Sequence, residues 1–262
     1  MQDTRFQSRN FLKEKIRSGK KCLGAWLHMG SSISAEIFAQ AGFDFVIIDM
    51  EHGPHDFMTL GDQLRALRGT EVTPIVRTEW NDFVFTKRIL DIGAMGIHVP
   101  YVNTRAEVEQ ALRSAWYPPK GIRGMARSTR AAFFGQMPFS ELLNVNEKIW
   151  VMTAIETPES VRNIEEIAST PGLDGVFLGP VDLASTSGNL LNQGGPEMVG
   201  LKSQIESTCF KLGAPLATVA SGMDEAEALF DKGYSMIVAM SDIVFLATHS
   251  IAAVERFTKK YR

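Results

Sequence analysis

FVIID at positions 45–49 is four apolar residues closed by an acid, and MEHGPHD follows it at 50–56. A run without alternation cannot leave one face in water, so it reads as a strand covered on both sides, as in a parallel sheet. Seven more runs of this kind lie to either side. They are LGAWL (23–27), PIVR (74–77), GIHVP (96–100), WVMTAIE (150–156), GVFLG (175–179), PLATVA (215–220) and MIVAM (236–240). Helix-period segments separate them, which is the pattern of repeated βα units, and eight units predict an α/β fold, a (β/α)8 TIM barrel. The 262 residues are 45% hydrophobic, enough to bury the core of one such barrel. With no Pro/Gly/Ser linker to divide it, the chain reads as a single domain over 1–262.

Local signals support the repeat. Thr104 with Glu107 forms a capping box ahead of Val108, Ala111, Leu112 and Ala115, which share one helical face. Thr157 and Pro158 read as N-cap and first helical position, with Val161, Ile164 and Ala168 turned to the barrel. Gly42, Gly93, Gly172 and Gly233 each precede a strand, where a helix ends in a left-handed residue. Two segments fall outside the repeat. Residues 5–18 predict an N-terminal helix that plugs the barrel bottom, and residues 117–148 read as an insertion after strand four, expected on the active-site face.

Composition narrows the partner. The net charge is -3 and no run of five like charges occurs, so nothing draws the chain toward nucleic acid. MQDTRFQSRN at the start lacks an apolar signal core, and no stretch approaches the roughly 18 apolar residues of a membrane span, so the expectation is a cytoplasmic protein acting on a small molecule. The two cysteines, Cys22 and Cys209, read as buried reduced thiols without function.

Barrel enzymes present their chemistry at the carboxyl ends of strands. Strand two ends in Asp49 and runs into Glu51 and His52, strand three ends in Arg77, strand five in Glu156, and Asp182 follows strand six. Neighbouring strand axes lie about 4.8 Å apart, so Glu156 and Asp182 can converge at the mouth. Like charges that close need a cation or a shared proton, and oxygen ligands favour Mg²⁺ or Mn²⁺. The alternative is that both carboxylates cap helices or pair with arginines. Asp49 can fix the tautomer of a His52 base, although a histidine is often structural. Arg77 offers a fork for a carboxylate or enolate oxygen, or neutralises the nearby acids. GPVDLASTSG (179–188) can offer backbone N–H groups to a carboxylate, or is an ordinary turn. Arg123, Arg127 and Arg130 can attract an acidic substrate, but an exposed basic loop or subunit contact reads equally well. His28 and His98 are expected to pack or support. No lysine sits at a strand's carboxyl end, which disfavours a Schiff-base aldolase, and no G-x-G-x-x-G, P-loop or nucleophile elbow occurs.

These residues stand in a recognisable order. FVIIDMEHGPHD (45–56), PIVR (74–77), LDIGAMGIHVPYVNT (90–104), YPPKGIRG (117–124), IETPES (155–160) and LGPVDLASTSG (178–188) resemble the HpcH/HpaI aldolase/citrate lyase family across nearly the whole chain. The resemblance implies a class II, metal-dependent lyase that cleaves a 4-hydroxy-2-oxo acid to pyruvate, or a related 2-oxo acid, and an aldehyde. It implies that Glu156 and Asp182 hold the divalent cation (Mg²⁺, Mn²⁺ or Co²⁺). Arg77 would stabilise the enolate oxygen, and His52, oriented by Asp49, would shuttle the proton. Asp91 would help complete the site, from a neighbouring subunit. Gly179, Pro180, Ala184 and Ser185 would bind the substrate carboxylate. A homo-oligomer, trimer or hexamer, with exchanged C-terminal helices from 242–258 is implied as well. The chain departs from many members at Ala154, where they carry glutamine, and in RGMARSTRAAFFG (123–135), which bears on the aldehyde. Relatives such as macrophomate synthase suggest an alternative, oxaloacetate decarboxylation with C–C bond formation, and a non-catalytic oligomeric barrel is the reading from another class.

Overall fold

A computed structural model describes residues 9–262. Eight parallel strands close into one barrel in sequence order, with helices between them. They are β1 (Cys22–Leu27), β2 (Phe45–Asp49), β3 (Thr73–Arg77), β4 (Gly96–Val99), β5 (Trp150–Ile155), β6 (Gly175–Leu178), β7 (Leu216–Val219) and β8 (Met236–Ser241). Each expected strand is present, shifted by no more than a residue or two at its ends. β1 closes on β8 through a register shift between Gly24 and Ala25.

Alternation along each strand sorts two cores. Val46 and Ile48 point outward to Leu60 and Leu64 of the helix Phe57–Ala66, whereas Phe45 and Ile47 join Ile75, Trp150, Met152 and Phe177 inside the barrel. Large and small residues interlock there. A Cβ on Gly24 would come within 2.3 Å of the Phe45 ring, and one on Gly96 within 2.8 Å of Trp150. The N-terminal helix, Phe11–Arg17, sets fully buried Leu12 into this inner cluster. Lys13 ties it down by donating to Ile149 O at 2.8 Å and to Asp174 at 2.9 Å. The plug is therefore present, and the part expected over residues 5–8 lies outside the described residues.

The helix signals are met. Thr104 and Glu107 form the capping box of Arg105–Ala115, and Gly42, Gly93, Gly172 and Gly233 all have positive φ. The helix begun by Thr157 and Pro158 is interrupted at Asn163, giving Pro158–Arg162 and Ile164–Ala168. Cys22 and Cys209 are free and buried, and burial pushes both thiols up to about 12.

The insertion is placed differently from expectation. It follows the helix Arg105–Ala115 and leads into β5, so it emerges at the amino ends of the strands and not at their carboxyl ends. A segment entered from a crossover helix has already returned to the bottom of the barrel. The last helix, Asp242–Tyr261, also departs from a simple barrel, because every residue from 243 to 262 is exposed. No helix among the described residues is long and apolar enough to cross a membrane.

Leu12 fills the base of the barrel, so Leu12→Ala should leave a cavity and lower the unfolding free energy by about 2–5 kcal/mol, read from the urea midpoint.

Candidate active site

Above the apolar floor the inward positions turn polar, because the last inward residue of each strand faces the mouth. β2 and β3 pair in register, which sets Asp49 opposite Arg77. Arg77 donates through Nε at 2.8 Å and Nη2 at 2.6 Å to the two oxygens of Asp49, a bidentate pair buried at the barrel axis. The indole of Trp26 lies beneath the guanidinium, 4.6 Å away. His28 Nε2 adds a third contact to Asp49 at 3.0 Å, while its Nδ1 meets Ser241 Oγ at 3.1 Å. Asp49 only accepts, so the proton of His28 belongs on Nε2. Backbone N–H groups of Glu51 and His52 complete the shell at 3.1 and 3.3 Å. Burial alone would raise the Asp49 carboxyl, but the bonds from His28 and Arg77 hold it well below the usual carboxylate range.

This departs from the expected Asp49–His52 couple. Asp49 holds the main chain of His52 and the ring of His28, whereas the His52 ring is 62% exposed with Nε2 3.7 Å from Glu51. The tight turn explains it. Gly53 brings its backbone so close to Asp49 O and the His55 ring that a Cβ would sit 2.4 and 2.3 Å from them, and this compact loop swings His52 outward. Since Nε and Nη2 of Arg77 are spent on Asp49, the remaining Nη1 edge is what reaches Glu51, at 3.1 Å.

The second group is acidic. Glu156, just past β5, is 3% exposed and its Oε2 accepts the N–H of Tyr101 at 2.9 Å. Tyr101 takes φ 52, a left-handed value uncommon for its type, and this points its N–H at Glu156. Burial pushes the Glu156 carboxyl up to about 7, with Asp182 and Glu51 adding repulsion against the pull of the Tyr101 N–H and Arg77. Burial also raises Glu51, against Arg77 and His52. Gly179 makes room, since a Cβ there would lie 2.7 Å from Glu156 Cγ.

GPVDLASTSG proves to be mostly helix, Pro180–Thr186, with Gly179 at its start. Ala184 is buried, Ser185 is exposed, and both lie in the helix, so only the Val181 and Asp182 N–H groups of its first turn lack an intrahelical acceptor. Half-buried Asp182 accepts no hydrogen bond through its side chain among the described residues. No three or more His, Cys, Asp or Glu side chains are gathered as a metal cluster among those residues. The donor set still fits a hard divalent cation. Glu156 and Asp182 repel each other, and the second oxygen of Glu156 accepts no hydrogen bond among the described residues. Asp91 is not at this mouth. It lies on the helix Phe83–Ile92 and pairs with Arg123 at 2.6 Å.

With this geometry in view, the HpcH/HpaI aldolase/citrate lyase model matches residues 23–248. The chain belongs to that family. It is an enzyme, a carbon–carbon lyase of the aldolase type. It is 38% identical to a pyruvate aldolase of Rhizobium etli over 95% of this chain and 97% of the relative. It is 34% identical to a 5-keto-4-deoxy-D-glucarate aldolase of Escherichia coli O6:H1, again over 95% and 97%. A solved family protein from Burkholderia cenocepacia superposes with a TM-score of 0.90 at 31% identity, covering 95% of this chain and 99% of that one.

The residues that sequence reading left as support are His28 and His98. His28 belongs to the Asp49 cluster, and the signal was its place at the end of β1. His98, fully buried against Phe177 and opposite Arg77 in register, has neither ring nitrogen hydrogen-bonded among the described residues. Burial, followed by the charge of Arg77, pushes it down to about 3. The unfolded chain takes up that proton below about pH 6.5, so stability present above that pH is lost as pH falls toward 3, on the order of a few kcal/mol. His98→Leu should flatten this acid limb in urea melts taken at stepped pH, and an unchanged slope would refute the buried neutral ring.

Proposed function

We propose that this lyase cleaves a 4-hydroxy-2-oxo acid to pyruvate and an aldehyde, with a divalent cation held by Glu156 and Asp182. The observation that carries the reading is the raised, buried carboxyl of Glu156 beside Asp182, acids that repel each other and face the mouth. When bound, the cation supplies a Lewis acid for the negative charge of the keto acid, worth several kcal/mol. The pyruvate aldolase relative supports pyruvate as the common product. The chain's own groups divide the remaining work. Asp49 and His28 fix Arg77 so that its Nη1 edge, shared with Glu51 at 3.1 Å, presents a permanent charge to the developing enolate oxygen. His52, exposed beside Glu51, takes the hydroxyl proton as the C–C bond breaks and returns it in the reverse direction. The substrate carboxylate would meet the first turn of the helix Pro180–Thr186, beyond Gly179 and Pro180, where the Val181 and Asp182 N–H groups are open; Ala184 packs beneath that turn and Ser185 lies further along the helix.

The test is pyruvate release over a panel of 4-hydroxy-2-oxo acids and oxaloacetate, with EDTA and after adding back Mg²⁺, Mn²⁺ or Co²⁺. We expect activity to vanish in EDTA, to return with one of the ions, and to fall by about 10²-fold or more in Glu156→Gln. Turnover that survives complete chelation defeats the metal role. Pyruvate from oxaloacetate without any aldehyde-releasing substrate would favour the decarboxylating alternative.

The same reading includes a cytoplasmic homo-oligomer, a hexamer with exchanged C-terminal helices. Its support is the helix Asp242–Tyr261, which leaves Ile243, Phe245, Leu246, Ile251, Val254 and Phe257 about half exposed or more, an apolar set that needs a cover. Asp91 would serve a neighbouring copy's mouth, since it lies away from its own. Replacing Val254 and Phe257 by Glu should shift sedimentation from an oligomer to a smaller species, and a wild-type chain that sediments as a monomer would end the idea.

A further inference from the structure

The three arginines of the insertion do not reach the mouth. Arg127 is exposed and stacks on Phe139, whereas Arg123 and Arg130 turn into a cavity of about 360 Å³ under the amino ends of β4 and β5. Its walls are apolar, built by Leu90, Ala94, Met95, Phe133, Val145 and Ile149. Around them, among the described residues, stand five cationic side chains, Arg9, Arg68, Arg123, Arg130 and Lys148, and no acid of those residues lines the space.

Three of the five have acidic partners outside it. Arg9 pairs with Glu14, Lys148 approaches Glu141 at 3.7 Å, and Arg123 holds Asp91 at 2.6 Å. Arg68 and Arg130 pair with no carboxylate among the described residues. Arg130 is fixed in place. Its Nη2 donates to Leu64 O at 2.9 Å, and its stem crosses Gly93 so closely that a Cβ there would sit 3.3 Å from Cδ. Its Nη1 is buried with no partner among the described residues. Arg123 is 1% exposed, rests on the Tyr117 ring at 4.4 Å, and leaves Nε without a partner among the described residues. Burial lowers the pKa of Arg130, and the charges of Arg65 and Arg68 lower it further. Each of these two arginines thus keeps one N–H without an acceptor among the described residues, and five cations around a lining with no described acid favour an anion there. Inorganic ions would leave the apolar walls bare.

We propose that this cavity binds a small organic anion, a carboxylate or phosphate carried on an apolar body of several carbons, with its head on Arg130 and Arg123 and its body against the insertion. The volume lies at the small end of the roughly 300–1,000 Å³ of ligand sites. The proposal does not rest on the mouth of the same chain, which opens at the other end of the barrel.

Calorimetric titration of the full chain in EDTA tests it with four probes: acetate and inorganic phosphate, which offer charge alone, and benzoate and phenyl phosphate, which add an apolar ring. One of the ring-bearing probes should bind about tenfold or more tighter than its bare counterpart, and which of the two does so tells carboxylate from phosphate. Arg130→Gln should weaken that binding by about tenfold or more and Arg130→Lys by less. Because a change at Arg130 can disturb the insertion, Arg68→Gln tests the same field from an exposed position and should weaken binding severalfold. No binding by either ring-bearing probe overturns the proposal. So does binding indifferent to both Arg68→Gln and Arg130→Gln, and bare ions that bind as tightly as the ring-bearing ones would mean an adventitious ion only.

Discussion

The buried pair between Asp49 and Arg77 organises the carboxyl end of this barrel. A charge at the axis of a closed sheet has lost its water, and it stays there only when its partner is near and its remaining bonding positions are filled. Here both oxygens of Asp49 are taken by Arg77, and His28 and two backbone N–H groups satisfy the rest. Below the pair the interior is apolar down to Leu12, and above it the side chains are acids facing the mouth. Asp49 is therefore more a structural anchor for Arg77 than an orienting group for His52.

Fixing Arg77 sets the electrostatics of what lies above it. With most of its fork committed, Arg77 leaves Glu51, Glu156 and Asp182 incompletely neutralised. Burial then makes Glu156 hard to ionise unless a cation arrives. The strained Tyr101 and the bare Gly179 hold the Glu156 carboxylate in its place at the mouth. A backbone N–H and a missing Cβ thus set where the acid stands.

The opposite end of the molecule follows a different logic. The insertion buries arginines over an apolar hollow, far from the polar side chains at the carboxyl end of the barrel. Its consecutive Phe133 and Phe134, with φ of 50 and 53, hold the hollow's wall in an uncommon backbone shape. The C-terminal helix adds a third surface, apolar and uncovered within one chain. Polar mouth, cationic hollow and apolar helix occupy separate parts of one barrel.

Much of this was legible in the order of residues. Parallel strands are buried on both faces, so FVIID and its counterparts stand out as unbroken apolar runs, and the acids and Arg77 at their ends fall at the mouth by chain direction alone. The N-terminal plug, the capping boxes and the terminal glycines were equally local signals. Contacts between distant residues were not. His28 meets Asp49 because β1 lies beside β2, and Tyr101 meets Glu156 across 55 positions. Arg123, Arg127 and Arg130 are neighbours in the chain, yet two turn into a cavity and one faces solvent, which depends on the path of the insertion. Sequence alone therefore determined the strands, their order and the residues at their ends, because each is set by its own neighbours. Only the closed barrel decided which of those ends pair, which stay unpaired and which way the insertion faces, because these depend on distances between segments that the linear pattern does not encode.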